Sequence, residues 1–399
     1  VKRLITFDLL ETAFGAFSME RWNDHPRPLG LYEMDKQGHK AVVALLLARQ
    51  TGLDDLPGLA RGLVFEFLKR AVLTDLKPPV YYRLTQTGGD RMARWVLDKW
   101  RDHLEAVSPK LMHLFEIHLT RGPREDMQRV LEGANSVATA WELSLIEPLA
   151  RGIYGFDRTK REVMDRLEAH RDLPLVREFL FKLAGARSHP LCNFVDLVAQ
   201  LRFQKRWTRV QRIPNTSVLG HMFFVGFLSF LMSAMCGLNT NRWGWNFFGG
   251  LMHDLPEALT RDVISPLKRE MGLQDLLQEL ESQMMEREVY PLLEDHAPLI
   301  RFLVESPFSL KAFHQGRPVL DLSVRREAEM ELMSSPVVDG PLVDLSDKYS
   351  AFLEARFSIH YGVSSRVLRE AAEAIRSNCQ IKAYNGIEMR GLFQVFDQI

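Results

Sequence analysis

Apolar residues recur at intervals of three and four along most of the chain, as in Val42-Leu45-Leu46, Leu63-Phe67, Leu276-Leu277-Leu280 and Leu353-Phe357. That period belongs to helices that turn one face to a core. Alternating strand patterns closed by hairpin turns are nearly absent. The pattern therefore predicts an all-α fold, its helices joined by short loops such as Lys77-Pro78-Pro79 and Asp339-Gly340-Pro341. One stretch is apolar on every face: Met222 to Leu238 carries no charge over 17 residues. It falls near the lower limit for a membrane span and lacks the flanking basic and aromatic asymmetry of one. The expectation is a helix buried on all sides.

Several short segments of the first half are echoed, in order, in the second. Glu20-Arg21-Trp22 answers Lys205-Arg206-Trp207, and Gly38-His39 answers Gly220-His221, each before an apolar run. Gly62-Leu63-Val64-Phe65-Glu66 answers Gly250-Leu251-Met252-His253-Asp254, and Asn135 with Trp141-Glu142 answers Asp347 with Leu353-Glu354. The order of these echoes predicts a tandem duplication with its seam near Gly185 to Pro190. The expected domains are residues 1–188 and 189–399.

Composition narrows the function classes. The 399 residues are 46% hydrophobic and 26% charged, enough for a full core and more than one ordinary domain. Lys plus Arg equals Asp plus Glu at 51 each, so no global basic field points to duplex nucleic acid or a membrane surface. Cys192, Cys236 and Cys379 are odd in number, far apart and outside any CxxC pattern. Free buried thiols in a reducing compartment are expected. Asp8 and Glu11 interrupt the first apolar run, so no export signal is read there and a cytoplasmic location is expected. No Walker loop, no GxGxxG opening a helix and no zinc-finger spacing occurs.

The chemistry-bearing pattern lies in the second half: His221, the pair His253-Asp254, and Asp347. Two imidazoles and two carboxylates suit one divalent transition metal with positions left for water and substrate. A His-Asp pair alone reads as a surface ion pair. This one sits within FFGGLMHDLPEAL, an apolar helical stretch where unpaired polar groups are costly. On a helix, neighbours about 100° apart reach one ion from adjoining faces, and Glu257 follows His253 by four positions on that side. A carboxylate there is placed for proton transfer.

The segments resemble the HD superfamily of metal-dependent phosphohydrolases, nearest to the bacterial 5′-deoxynucleotidase branch. The resemblance rests on Arg206-Trp207, His221, HDLPE (His253, Asp254, Glu257), TRDVISPLK (Thr260, Asp262, Pro266, Lys268) and Asp347, and covers about residues 195 to 380. It implies two tandem HD-type helical bundles, the first degenerate. It implies a single divalent ion (Mn, Co, Fe, Ni, Zn or Mg) held by His221, His253, Asp254 and Asp347, with Asp254 and Glu257 in catalysis. Arg206, Trp207, Asp262 and Lys268 become candidates for phosphate and nucleoside contacts, Arg by a bidentate grip and Trp by stacking. In the echo above, the first copy keeps His39 but carries Phe65, Glu66 and Asn135, a set unfit for a metal. The residue before the first His is commonly acidic in that branch and is Gly220 here.

The activity that the resemblance implies is a phosphomonoesterase acting on a small phosphoester, a nucleoside 5′-monophosphate by the likeness to that branch. The first half would then stand in for a dimer partner, in a monomer with pseudo-dimeric halves or in a homodimer. The rival is a non-catalytic regulator, a nucleotide sensor or protein-interaction module built on the same fold. Intact Glu257 favours the enzyme, since a purely structural site has no use for it.

Overall fold

The computed structural model describes residues 4–73, 76, 78–261, 274–314, 316–320, 335–379, 381 and 383–397. Its helices, in chain order, begin with α1 (Phe7–Phe14), α2 (Glu33–Thr51), α3 (Leu56–Leu73), α4 (Pro78–Val107), α5 (Pro109–Arg121) and α6 (Glu125–Ala150). There follow α7 (Phe156–Glu168), α8 (Pro174–Leu183), α9 (Pro190–Gln200), α10 (Val218–Met235), α11 (Thr240–Met252) and α12 (Glu257–Thr260). The last are α13 (Gln274–Met284), α14 (Tyr290–Leu293), α15 (Ala297–Val304), α16 (Gly340–His360) and α17 (Arg366–Asn378). The fold is all-α, as the apolar period predicts.

The apolar helix α10 is buried along its whole length, although its length and composition alone would suit a membrane span. It begins where the Ser217 hydroxyl accepts from the Gly220 N–H at 2.9 Å, a helix N-cap. It packs on α2, α11 and α16, and one continuous core joins residues of both halves. The crossing of α10 and α11 is unusually close. A Cβ on Gly226 would lie 2.7 Å from the Phe247 carbonyl oxygen, and one on Gly250 would lie 2.8 Å from the Gly226 Cα. Only glycine permits that approach. It sets the head of α10 beside the end of α11, which is where His221 and His253 stand.

Two turns share one geometry. Trp22 and Trp207 both adopt left-handed backbone, at φ of 57° and 58°. Each donates its indole N–H to a buried glutamate at 2.8 Å, Trp22 to Glu142 and Trp207 to Glu354. Each turn is closed by an isolated β-bridge, Glu20 to Tyr32 in one and Lys205 to Ser217 in the other. Counted from these bridges, the residues in matching places differ from those of the sequence echo. Lys36 stands four residues after Tyr32, as His221 stands four after Ser217. Lys36 Nζ donates to Asn135 Oδ1 at 2.5 Å, in the place where His221 Nε2 lies 3.0 Å from Asp347 Oδ1. His39 sits three residues further along, buried against Trp141 with Arg202 at 3.4 Å from its Nδ1.

A similar shift applies to α3. Asp55 accepts from the Gly58 N–H at 2.7 Å and Asn239 accepts from the Arg242 N–H at 2.9 Å, so each precedes and caps its helix. Counting from these caps sets Lys69 and Arg70 opposite His253 and Asp254. Phe65 lies in the core against Phe115 and Phe230, and Glu66 lies 3.5 Å from His118. Helices that are apolar on every side repeat their Gly-apolar pattern in more than one phase, and the caps decide between them.

A small antiparallel sheet, not foreseen from the pattern, is formed by β1 (Leu310–His314), β2 (Arg317–Leu320) and β3 (Val337–Asp339) in the order β2-β1-β3. A two-stranded hairpin, β4 (Ala383–Tyr384) with β5 (Ile387–Glu388), lies near the end of the chain. Asp339-Gly340-Pro341 is accordingly no open loop. Asp339 ends β3, where its carboxylate accepts from Arg242 at 2.5 Å and Asn246 at 3.1 Å, and Gly340-Pro341 opens α16. Pro78 likewise opens α4. Proline suits a first turn, whose N–H groups have no partner in the helix.

Candidate metal centre

His221 lies in the first turn of α10, which its cap at Ser217 orients. His253 is the C-cap residue of α11, and residues 253–256 form a turn rather than the continuous helix expected from the sequence. Pro256 has no N–H to give to the Met252 carbonyl, so the ladder breaks there. Glu257 then opens α12, its N–H bonded to the Asp254 carbonyl at 3.1 Å, and its side chain is buried. Asp347 comes from the second turn of α16.

These elements bring the four expected ligands together. His221 Nε2 lies 3.0 Å from Asp347 Oδ1 and 3.6 Å from Asp254 Oδ2. His253 Nε2 lies 3.2 Å from Asp254 Oδ2 and 3.8 Å from Asp347 Oδ1. Among the described residues, His221, His253 and Asp347 form a cluster whose donor atoms all fall within 4.8 Å of one another. Ligands bound at about 2.1 Å in tetrahedral or octahedral geometry are roughly 3.0–3.4 Å apart, so the spacing suits one shared ion.

The far side of each imidazole fixes its tautomer. His221 Nδ1 lies 3.0 Å from the Glu354 carboxylate and 3.1 Å from the Ser350 hydroxyl, while His253 Nδ1 lies 2.7 Å from the Gly250 carbonyl. A carboxylate and a carbonyl only accept, so both Nδ1 atoms carry the proton and both Nε2 lone pairs face the two aspartates. Both Nε2 atoms are buried without a hydrogen-bond partner. Lone pairs set against carboxylate oxygens repel unless a metal ion or a proton lies between them.

Charge counts point the same way. Asp254, Asp347, Glu257 and Glu354 all act on Arg206, and Arg212 also faces Glu354. With both imidazoles neutral, four carboxylates against two guanidiniums leave two negative charges uncompensated, which a divalent ion would balance. With no ion between them, burial disfavours a proton on His253, yet Asp254 and Asp347 outweigh it, raise its pKa well above the imidazole range and draw a proton to the place on Nε2 that a metal ion would take. Burial likewise opposes charge on Asp254, but His253 and then His221 hold its pKa down at about 2. The donor set and the field both fit a metal.

Residues 198–376 match the family model of the HD domain. The match covers all four ligands, Glu257 and Glu354, and HD domains are typical of metal-dependent phosphohydrolases. No curated protein and no solved structure matches the chain.

Within the matched region the remaining expected residues fall unevenly. Arg206 is largely buried, with Nη1 3.5 Å from Asp254 and Nε 3.5 Å from Glu354, so it braces the ligand set from behind. The Trp207 indole N–H is taken by Glu354, and Arg212 lies over its ring at 5.5 Å. Asp262 and Lys268 lie outside the described residues. Outside the ligand set, His296 is bonded to the Leu293 and Leu46 carbonyls and His360 packs on Phe7 and Phe396. Where sequence leads one to expect an acid before His221, a Cβ on Gly220 would lie 2.7 Å from Phe17 and 3.0 Å from the Asp35 carboxylate. Asp35 of α2 thus brings a carboxylate to that place from the other half, where it also accepts from Ser217. Two residues escaped the sequence reading: Glu354, which orients His221, and Phe308, an aromatic 41% exposed whose ring lies 6.2 Å from that of His253.

Proposed function

We propose that the chain is a metal-dependent phosphomonoesterase acting on nucleoside 5′-monophosphates, with chemistry confined to the HD domain. The observation that carries the reading is the pair of buried imidazole Nε2 lone pairs converging on two carboxylates. A divalent ion held by His221, His253, Asp254 and Asp347 would activate water and neutralise phosphoryl charge. The partly exposed carboxylates of Asp254 and Asp347 mark the open side, through which a phosphate would enter. Glu257, buried beside Arg206, is the proton carrier, taking a proton from the attacking water or returning one to the leaving oxygen. Phe308 offers a flat apolar surface at the rim for a base. The likeness of the two Arg-Trp turns supports the reading of the first half as a fused, altered copy that takes a partner subunit's place.

Phosphate release from a panel of nucleoside 5′-monophosphates, with added Mn²⁺, Co²⁺, Mg²⁺ or Zn²⁺, tests this reading. Turnover of at least one nucleotide is expected, and Glu257→Ala is expected to keep the metal while losing about 10²–10⁴-fold in rate. Metal-loaded protein that binds nucleotides and hydrolyses none of them would establish the sensor instead.

A further inference from the structure

A cavity of about 1250 Å³ opens in the N-terminal half, on the α2, α3 and α6 side of the molecule. It exceeds the roughly 300–1,000 Å³ of ordinary ligand pockets. Its floor carries Lys36 and Lys40, one helical turn apart and only 7% and 4% exposed. Lys36 Nζ donates to the Asn135 amide, a neutral group that does not balance an ammonium. Burial, and then repulsion from Arg21, outweigh the attraction of Glu33 and Glu142 and push the Lys36 pKa well below the lysine range. Glu33 and Glu66 attract Lys40, and Glu33 and Glu142 attract Lys36, but these carboxylates are shared with other cations and His residues. Glu33 is held by Arg21 at 2.8 Å and Arg70 at 3.5 Å, Glu66 lies 3.5 Å from His118, and Glu132 lies 3.5 Å from His170.

Buried ammonium groups are costly unless an anion meets them. In the HD domain the corresponding place holds His221, a metal ligand. Here a side chain supplies the positive charge itself, so the complementary ligand is an anion and needs no metal. Two ammonium groups at i and i+4 have Cβ atoms about 5–6 Å apart. They suit a group of nearly two negative charges with three acceptor oxygens, which describes a phosphate and not a carboxylate.

We propose that this cavity binds a phosphate-bearing small molecule, its phosphate seated on Lys36 and Lys40. The site is separate from the metal centre and does not depend on the activity proposed for it. The test titrates metal-stripped protein with inorganic phosphate, followed by calorimetry, with acetate as the monoanionic control. One saturable phosphate per chain is expected. Lys36→Met should weaken it about ten-fold or more, and Asp347→Asn should leave it unchanged. Without phosphate, Lys36→Met should melt no lower than the parent, because it removes a buried amine whose charge burial opposes; a lysine serving structure alone would lower the melting temperature. Should that variant fail to fold, acylation of the unaltered protein reads the same contact, with phosphate expected to protect Lys36 and Lys40. Absence of saturable binding, binding undiminished by Lys36→Met, no protection of either lysine, or acetate binding as tightly as phosphate would each overturn the proposal.

Discussion

Asp347→Ala is expected to lose bound metal and phosphatase turnover together, while the fold stays intact. Asp347 is 28% exposed and rises from α16, where alanine is a favourable helix residue, so little packing is lost. Its Oδ1 is the oxygen nearest to His221 Nε2, at 3.0 Å, and it also faces His253 at 3.8 Å. Removing it takes away a ligand and half of the charge that a divalent ion neutralises. Loss of an outer partner of a metal ligand typically costs about 10–100-fold in affinity, and loss of the ligand itself should exceed that. Equilibrium dialysis against Mn²⁺ and phosphate release measure the two effects. A variant that kept the parent's metal affinity would remove Asp347 from the ligand set.

The second large effect concerns Glu354, which touches no substrate. Its carboxylate is fully buried and shared: Oε1 accepts from His221 at 3.0 Å, Oε2 accepts from Trp207 at 2.8 Å, and Arg206 and Arg212 lie at 3.5 and 3.6 Å. Glu354→Gln keeps the shape and deletes the charge, leaving two buried guanidiniums under-compensated. Breaking a buried charge pair costs about 3–5 kcal/mol, read as a lower denaturation midpoint. Metal affinity should fall about 10–100-fold as well, because a single neutral amide oxygen cannot accept from both His221 and Trp207 and holds the imidazole tautomer less firmly. Burial opposes the Glu354 charge, but Arg206, His221 and Arg212 outweigh it and hold its pKa well below the ordinary 4.5. A depressed carboxylate contributes stability above its unfolded pKa and loses it as pH falls towards the folded value. The gap between Glu354→Gln and the parent should therefore be constant between about pH 5 and 8 and shrink in acid. A gap that widened in acid would contradict this assignment.

The metal centre was legible in the sequence because its ligands are polar residues at fixed spacing inside apolar helices. His221, His253, Asp254 and Asp347 stand out against their neighbours for that reason. Glu354 did not stand out, although Asp347, Ser350 and Glu354 recur at i, i+3 and i+7 along a helix otherwise largely buried. That spacing, read as one face, would have found it. In the first half, glycine spacing alone does not fix which residues take matching places. The start of α2, EMDKQGHK, has the composition of a solvated face and yet is buried, so periodicity gave no warning that Asp35, Lys36 and Lys40 lie inside the fold. The caps at Asp55 and Asn239 and the bridges at Tyr32 and Ser217 settle what glycine spacing left ambiguous. The sheet of β1, β2 and β3 escaped because strands of three to five residues are too short to show a period of two.

The central claim is that one divalent ion belongs between His221, His253, Asp254 and Asp347. Anomalous diffraction from crystals grown with Mn²⁺ tests it most directly. One strong peak is expected within about 2.0–2.3 Å of both Nε2 atoms and both carboxylates. No peak there, or the strongest peak in the cavity floored by Lys36 and Lys40, would contradict it.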